Sequence, residues 1–134
     1  MTTIINGYGF QWNFVCNFIS NKGDKKNVYN SSDWGNYYDS IGNAAVTVTE
    51  NGVETKKYGE KQVTGYSEYW RANNIYDIAG NCWEWTQESN QYRIYRGGTC
   101  NGDESYYPAI YCHGMDESYR GHDDTGTRPM LIIK

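Results

Sequence analysis

Proline is almost absent from this chain: Pro108 and Pro129 are the only two in 134 residues. With so little proline no stiff linker divides the chain, and neither an internal repeat nor a low-complexity tail does so. Residues 1–134 therefore read as a single domain, long enough to bury a core. Long apolar runs are missing too. No stretch approaches the roughly 18 residues that a membrane span needs, so no membrane insertion is expected. The opening MTTIINGYGF has neither the charged nor the apolar region of a signal peptide, and the chain reads as soluble. The cysteines, at 16, 82, 100 and 112, include no CxxC pair, which leaves a structural zinc site without support. Cys16 and Cys82 read as buried free thiols. Positive charge is scarce in the second half. No lysine falls between Lys61 and Lys134, and residues 99–124 set Asp103, Glu104, Asp116, Glu117, Asp123 and Asp124 against Arg120 alone. With a net charge of −4 and a pI near 5.1, nucleic acid is not the expected partner.

What the chain has in abundance is tyrosine, tryptophan and glycine. Aromatics reach 16%, with fourteen tyrosines against three phenylalanines, a profile unlike that of disordered chains. A loop-rich fold anchored by aromatic side chains is implied. Phe10, Phe14, Val15, Phe18 and Ile19 recur at the spacing of one helix face, predicting an amphipathic helix from about Phe10 to Asn21. VYNSSDWGNYYDSIGN reads as an irregular loop anchored by its tryptophan. AAVTVTENGVETKKYG alternates β-branched residues around Asn51-Gly52, a strong hairpin signal. Further strands are predicted at Tyr92–Arg96 and from about Arg128 to Ile133. The class is α+β, with one main N-terminal helix, antiparallel sheets and long irregular loops.

One block is more specific. NIYDIAGNCWEWTQES (74–89) is followed by YRIYRGG (92–98) and, near the end, by TGTRP (125–129). Trp83 and Trp85, two apart, share one face of an extended segment and can each bury well over about a hundred Å². Gly80-Asn81 supplies a turn before them, and Gly97-Gly98 permits a close backbone approach where Arg96 packs. This pattern resembles the formylglycine-generating, sulfatase-modifying-factor family, whose signature is Gly-Asn-x-Trp-Glu-Trp, then Arg-Gly-Gly, then Gly-Phe-Arg. Thr127 stands here where the family has Phe. The match covers about the last half of the chain, and Gln11-Trp12 fits the family's earlier Gln-Trp helix. The resemblance implies a C-type-lectin-like fold with Trp83, Trp85, Arg96, Gly97, Gly98 and Arg128 as scaffold.

The same resemblance implies a structural calcium ion, held by the side chains of Asp77 and Glu84 and the carbonyls of Gly80 and Cys82. Such oxygen donors suit calcium. The competing reading has Asp77 capping a turn and Glu84 bonding to backbone amides. No other cofactor is required. The family's enzymes use two cysteines after Arg-Gly-Gly, the first a few residues on and the second five later. Here Cys100 lies two residues after Gly98 and Cys112 twelve further, so neither fits. Oxidising a substrate cysteine requires a thiolate poised beside a second thiol or copper, and no catalytic residue is assigned. A metal cluster of Cys100, Cys112, His113 and His122 matches no known ligand spacing, and neighbours on a strand point to opposite faces.

That leaves TCNGDESYYPAIYCHGMDESYRGHD (99–123), which holds both histidines and four tyrosines and shows no period of 2 or 3.6. Within this fold the chain looks like the variable proteins of diversity-generating retroelements, in which adenines of template codons, largely asparagine codons, are replaced across the C-terminal part. Replacing the two adenines of AAC or AAT cannot yield Lys, Glu, Gln, Trp or Met. Those types number 22 in residues 1–92 but three in the 25 residues of 99–123, namely Glu104, Met115 and Glu117. The depletion is modest, but Lys, Gln and Trp vanish altogether. Tyr, Ser, Gly, Asn and Asp also form the vocabulary of adaptable binding surfaces. The resemblance makes 93–128 a variable, ligand-binding part comprising Tyr95, Thr99, Asn101, Asp103, Tyr106, Tyr107, Ile110, Tyr111, His113, Asp116, Tyr119, Arg120, His122 and Asp123. It implies a non-catalytic display module that grips a protein or surface-polymer receptor, on a phage tail or a bacterial cell surface. The alternatives are an oxidase of the formylglycine-generating type and a calcium-dependent glycan-binding lectin, though the Glu-Pro-Asn sugar motif of such lectins is missing.

Overall fold

A computed structural model describes residues 2–24, 26–57, 59–89, 91–116 and 123–133. The chain runs β1 (Thr2–Asn6), α1 (Gly9–Asn21), β2 (Val46–Glu50), β3 (Val53–Lys57), β4 (Arg71–Ala72), β5 (Ile75–Tyr76), β6 (Trp83–Ser89), β7 (Arg93–Arg96), β8 (Cys112–Met115), β9 (Thr125–Thr127) and β10 (Pro129–Ile133). It is an α+β architecture with one α-helix among the described residues, and none of its helices is long and apolar enough to cross a membrane.

The predicted helix and hairpin form as read. The Tyr8 N–H donates to Gln11 Oε1 at 2.8 Å and opens α1. Asn51 and Gly52 take φ of 53° and 79° between β2 and β3, the doubly left-handed turn that matches the twist of paired strands. The face of α1 that is buried differs from expectation. Gly9, Trp12, Cys16 and Ile19 face the core, whereas Phe10, Phe14 and Phe18 are 60%, 72% and 51% exposed. Trp12 decides the rotation. Its indole N–H reaches the Ala109 carbonyl at 2.9 Å, and its ring lies against Gly97, so turning it outward would forfeit the largest apolar area on the helix and a buried hydrogen bond.

Sheet structure also departs from the sequence reading in two ways. The four-stranded sheet, in the order β8-β7-β6-β9, is mixed: β9 runs parallel to β6, with Trp83 opposite Thr125 and Trp85 opposite Thr127. A hairpin forces antiparallel pairing, but β9 returns after a long excursion that leaves its direction open. And β8 lies inside the stretch that shows no period, pairing its Cys112–Met115 with Arg96–Arg93 of β7. The unread β1 closes the domain by pairing with β10.

The core is built by aromatic side chains pinned to irregular loops. Trp12, Cys16, Ile19, Val28, Trp34, Tyr37, Ala72, Ile78, Ala79 and Ala109 pack together. Trp34 donates to the Asn27 carbonyl at 3.1 Å, Trp70 to that of Ala44 at 2.7 Å, and the Tyr37 hydroxyl to that of Gly97 at 3.1 Å. Gly80 and Gly98 serve this packing. With φ of 70° and 81°, each has backbone where a Cβ would stand, the Asn36 carbonyl and the Tyr107 carbonyl respectively. Asn81, at φ 64°, then uses its amide as a hub, donating to the Gln62 carbonyl and accepting from Asn36 and the Gln62 N–H.

Two substitutions on α1 separate the buried face from the exposed one. Trp12→Ala is expected to cost about 3–5 kcal/mol of unfolding free energy, whereas Phe14→Ser should stay within roughly 0.5 kcal/mol. Urea denaturation followed by circular dichroism measures both, and equal costs would reverse the assignment of the helix face.

Candidate functional site

The sheet order places aromatic side chains from three strands next to one another. Trp83 and Trp85 on β6, Tyr95 on β7 and His113 on β8 share one face of the sheet, and the loop before β8 adds Tyr107 and Tyr111. Trp83 stacks on His113 with centroids 5.8 Å apart and meets Tyr107 edge-on at 5.2 Å. Tyr107 and Tyr111 stand 5.4 Å apart, and Tyr111 stacks on His113 at 6.2 Å. Beneath them Tyr95 is buried and packs edge-on against Trp85 at 4.0 Å. Trp85, Tyr107, Tyr111 and His113 are half-buried, and Tyr106 beside them is 67% exposed. Arg93 lies 5.8 Å from the Trp85 ring. The result is an aromatic platform with a dry base and a wet top, the composition of a contact surface.

The backbone that carries this platform is clamped by side chains from outside it. Trp12 donates to the Ala109 carbonyl, and Arg96 to that of Ile110 at 3.3 Å. Ser31 Oγ accepts the Ala109 N–H at 3.1 Å and Asp39 the Glu104 N–H at 2.7 Å. Main-chain bonds from Tyr38 N–H to Gly102, Ile110 N–H to Val28 and Cys100 N–H to Asn81 complete the frame. Among the carboxylates of the loop, Glu104 turns inward. It is buried, and its carboxylate accepts the Ser31 N–H at 2.5 Å.

The structure thus sorts the sequence-predicted residues. Tyr107, Tyr111 and His113 converge, with Tyr106 alongside. Asn101, Asp103, Asp116 and Asp123 are exposed, Asp123 edging a shallow cleft shared with Lys61, Cys100, Asn101 and Asp124. Tyr95 and Thr99 belong to the interior instead. Tyr95 is covered by the platform it supports, and buried Thr99 donates to Asp124 Oδ2 at 3.0 Å. Ile110 packs half-buried against the core. Tyr119, Arg120 and His122 lie outside the described residues. Trp85 and Arg93 were missed as surface groups, because seeing them there requires the register of β8 against β7. Cys112 and His113 do alternate across β8, exposed and half-buried.

Two arginines brace the site from behind. Buried Arg96 forms a bidentate pair with Glu88, at 2.7 and 2.9 Å, and also donates to Asn13 Oδ1 on α1. Arg128 grips both oxygens of buried Glu84, at 2.5 and 2.7 Å, and the Tyr76 carbonyl at 2.9 Å. This arrangement bears on calcium. Asp77 is buried at φ 55°, with Oδ2 accepting the Gly65 N–H at 3.3 Å and Oδ1 without a hydrogen-bond partner. One open oxygen is not a calcium cage, which takes six to eight. Both Glu84 oxygens already carry a guanidinium, and among the described residues no group of three or more Asp, Glu, His or Cys gathers. The two side chains do not suit the ion as they stand, and Arg128 supplies the compensating charge at Glu84. Glu84 bonds to no backbone amide in place of the metal either, while Asp77 does hold a turn.

Burial pushes the Asp77 carboxyl above its ordinary range, against the smaller opposing pulls of the Gly65 N–H and Arg128. Burial raises Glu84 likewise, opposed by Arg128. A carboxyl raised in the folded state binds protons more tightly there than when unfolded, so ionisation at neutral pH opposes folding and acidification relieves it. Asp77→Asn should therefore be more stable than the parent at pH about 7, with the gap closing as pH falls through the folded-state value; a constant gap would contradict the burial argument. Arg128→Met strands the Glu84 charge and should cost about 3 kcal/mol, while EDTA should leave the thermal midpoint of the parent unchanged.

Neither a family model nor a curated protein matches this chain. Among solved structures, Treponema denticola variable protein 1 superposes with a TM-score of 0.61 at 16% sequence identity, over 96% of this chain and 47% of that one. The chain spans about half the length of that relative. What the two share is the fold, and the neighbour's name calls it a variable protein.

Proposed function

We propose that the chain is a ligand-binding display module, with a fixed lectin-like scaffold of the formylglycine-generating type and a binding face that varies, as in proteins served by diversity-generating retroelements. The observation that carries this reading is the clamped loop. Its course from Cys100 to Ile110 is fixed by Trp12, Ser31, Asp39 and Arg96 and by main-chain bonds, so the outward side chains can change without moving the backbone. Those outward side chains are Asn101, Asp103, Tyr106, Tyr107, Tyr111 and His113. The one buried glutamate in the loop, Glu104, is of a type that adenine replacement in an asparagine codon cannot generate. It serves the fold and not the surface. The name and shared fold of the Treponema protein support the same reading. The ligand on this view is a protein or surface polymer presented to a phage tail or a bacterial surface.

The thiols favour binding over catalysis. Burial raises Cys100, and raises Cys82 to about 11, the reverse of what a redox catalyst needs at neutral pH. Purified protein supplied with copper and a thiol peptide is accordingly expected to give no turnover. The deciding observation is genetic. Sibling sequences from the same source should differ at Asn101, Asp103, Tyr106, Tyr107, Tyr111 and His113 while Glu104, Arg96 and Trp12 stay constant. A near-copy of the coding end, with adenines at the varying sites, should lie beside a reverse transcriptase. Siblings that are uniform across 99–116 would overturn the proposal.

A further inference from the structure

The two cysteines that flank β6 and β7 in sequence come together in space. The Cys100 N–H donates to the Asn81 carbonyl at 3.0 Å, and that carbonyl belongs to the peptide bond entering Cys82. Standard backbone dimensions then hold the two Cα atoms within about 7 Å of each other, the upper edge of the range a disulfide spans. The side chains share surroundings as well: Lys61 and Asp124 act on both thiols, and Cys100 acts on Cys82. Both are free thiols, Cys100 buried and Cys82 half-buried, and Cys100 borders the cleft that opens between Lys61 and Asp123.

We propose that Cys82 and Cys100 are a disulfide-forming pair that locks the first turn of the binding loop to the Gly80-Asn81 hub. The oxidant is a low-molecular-weight disulfide, RSSR. The Cys82 thiolate attacks one of its sulfurs, forming a mixed disulfide and expelling RS⁻. The Cys100 thiolate then attacks the Cys82 sulfur and expels the second RS⁻. Two thiols lose two electrons and two protons, and RSSR becomes two RSH. The resulting link closes a loop over the β6–β7 hairpin, which restricts the unfolded chain, and it fixes Thr99 and Asn101 against the scaffold. Because burial holds both thiols in the protonated form near neutral pH, the reaction should quicken as pH rises toward their raised values.

The test uses the full chain and its Cys112→Ser variant, which removes the exposed thiol. Each is incubated with oxidised glutathione at pH about 9, acid-quenched, alkylated with N-ethylmaleimide in denaturant and digested with trypsin without reduction. Cleavage at Arg93 and Arg96 separates the two cysteines, so a bridge appears as linked peptides lighter by two hydrogens. In Cys112→Ser that linkage identifies Cys82–Cys100 uniquely. Oxidation should also raise the urea midpoint, dithiothreitol should restore it, and both Cys100→Ser and Cys82→Ser should abolish the shift. Recovery of both cysteines fully alkylated, with circular dichroism showing the folded state, would overturn the proposal. So would a glutathione adduct on Cys82 that never resolves.

Discussion

A single hydrogen bond from the Trp12 indole to the Ala109 carbonyl joins the helix to the loop that carries the platform, across 97 positions of sequence. It represents a constraint that governs the whole domain. Much of this chain is neither helix nor strand, so its buried carbonyls cannot find partners in ladders, and an unpartnered one costs about 1–3 kcal/mol. Large side chains that combine an apolar body with one donor meet both needs at once. Trp12, Trp34, Trp70 and Tyr37 each end on a carbonyl outside the α-helix and strands, Arg96 does the same with a charge attached, and Arg128 takes the Tyr76 carbonyl of the short strand β5. The richness in tryptophan and tyrosine follows from this architecture as much as from any surface role.

That arrangement separates two jobs that most loops must do together. In an ordinary loop the side chains that set the conformation are those of the loop itself, so changing them changes the path. Here the polar atoms of Cys100–Ile110 are met mainly by Trp12, Ser31, Asp39, Arg96 and neighbouring backbone. Gly98 lets the Tyr107 carbonyl come close without depending on what the tyrosine ring does. The platform residues on top add contacts among themselves. The variable face proposed above would rest on this division between who holds the backbone and who faces outward.

The sequence made some of this legible and hid the rest, for identifiable reasons. The hairpin at Asn51-Gly52 is local chemistry and was readable from two residues. The roles of Gly80, Gly97 and Gly98 followed from their place around the Trp-Glu-Trp block. The helix existed as predicted, yet its buried face was misread because three phenylalanines outnumber one tryptophan in a periodicity count, whereas one buried tryptophan with a partner outweighs them in energy. Strand β8 escaped because Cys112, His113, Gly114 and Met115 carry no β-branched or alternating signal; pairing with β7 makes them a strand. Tyr95 looked like its neighbours in composition, and only cross-strand register shows that it lies underneath Trp85 and His113.

Charge follows from the same division of labour. The arginines of the framework are turned inward and spent on carboxylates of the scaffold, Arg96 on Glu88 and Arg128 on Glu84. Two carboxylates of the loop region, Asp103 and Asp123, are turned outward instead. Against them on the described surface stand Arg93, leaning on Trp85, and Lys61, whose ammonium is engaged by the Asp123 carbonyl. Among the described residues, the framework arginines thus face carboxylates of the scaffold while Asp103 and Asp123 point to solvent. Rim charges of one sign act mostly on the rate and selectivity of encounter, while the aromatic centre sets how long a complex lasts. On the function proposed above, a partner bearing positive charge would meet this face faster, and the tyrosines would set how long it stays.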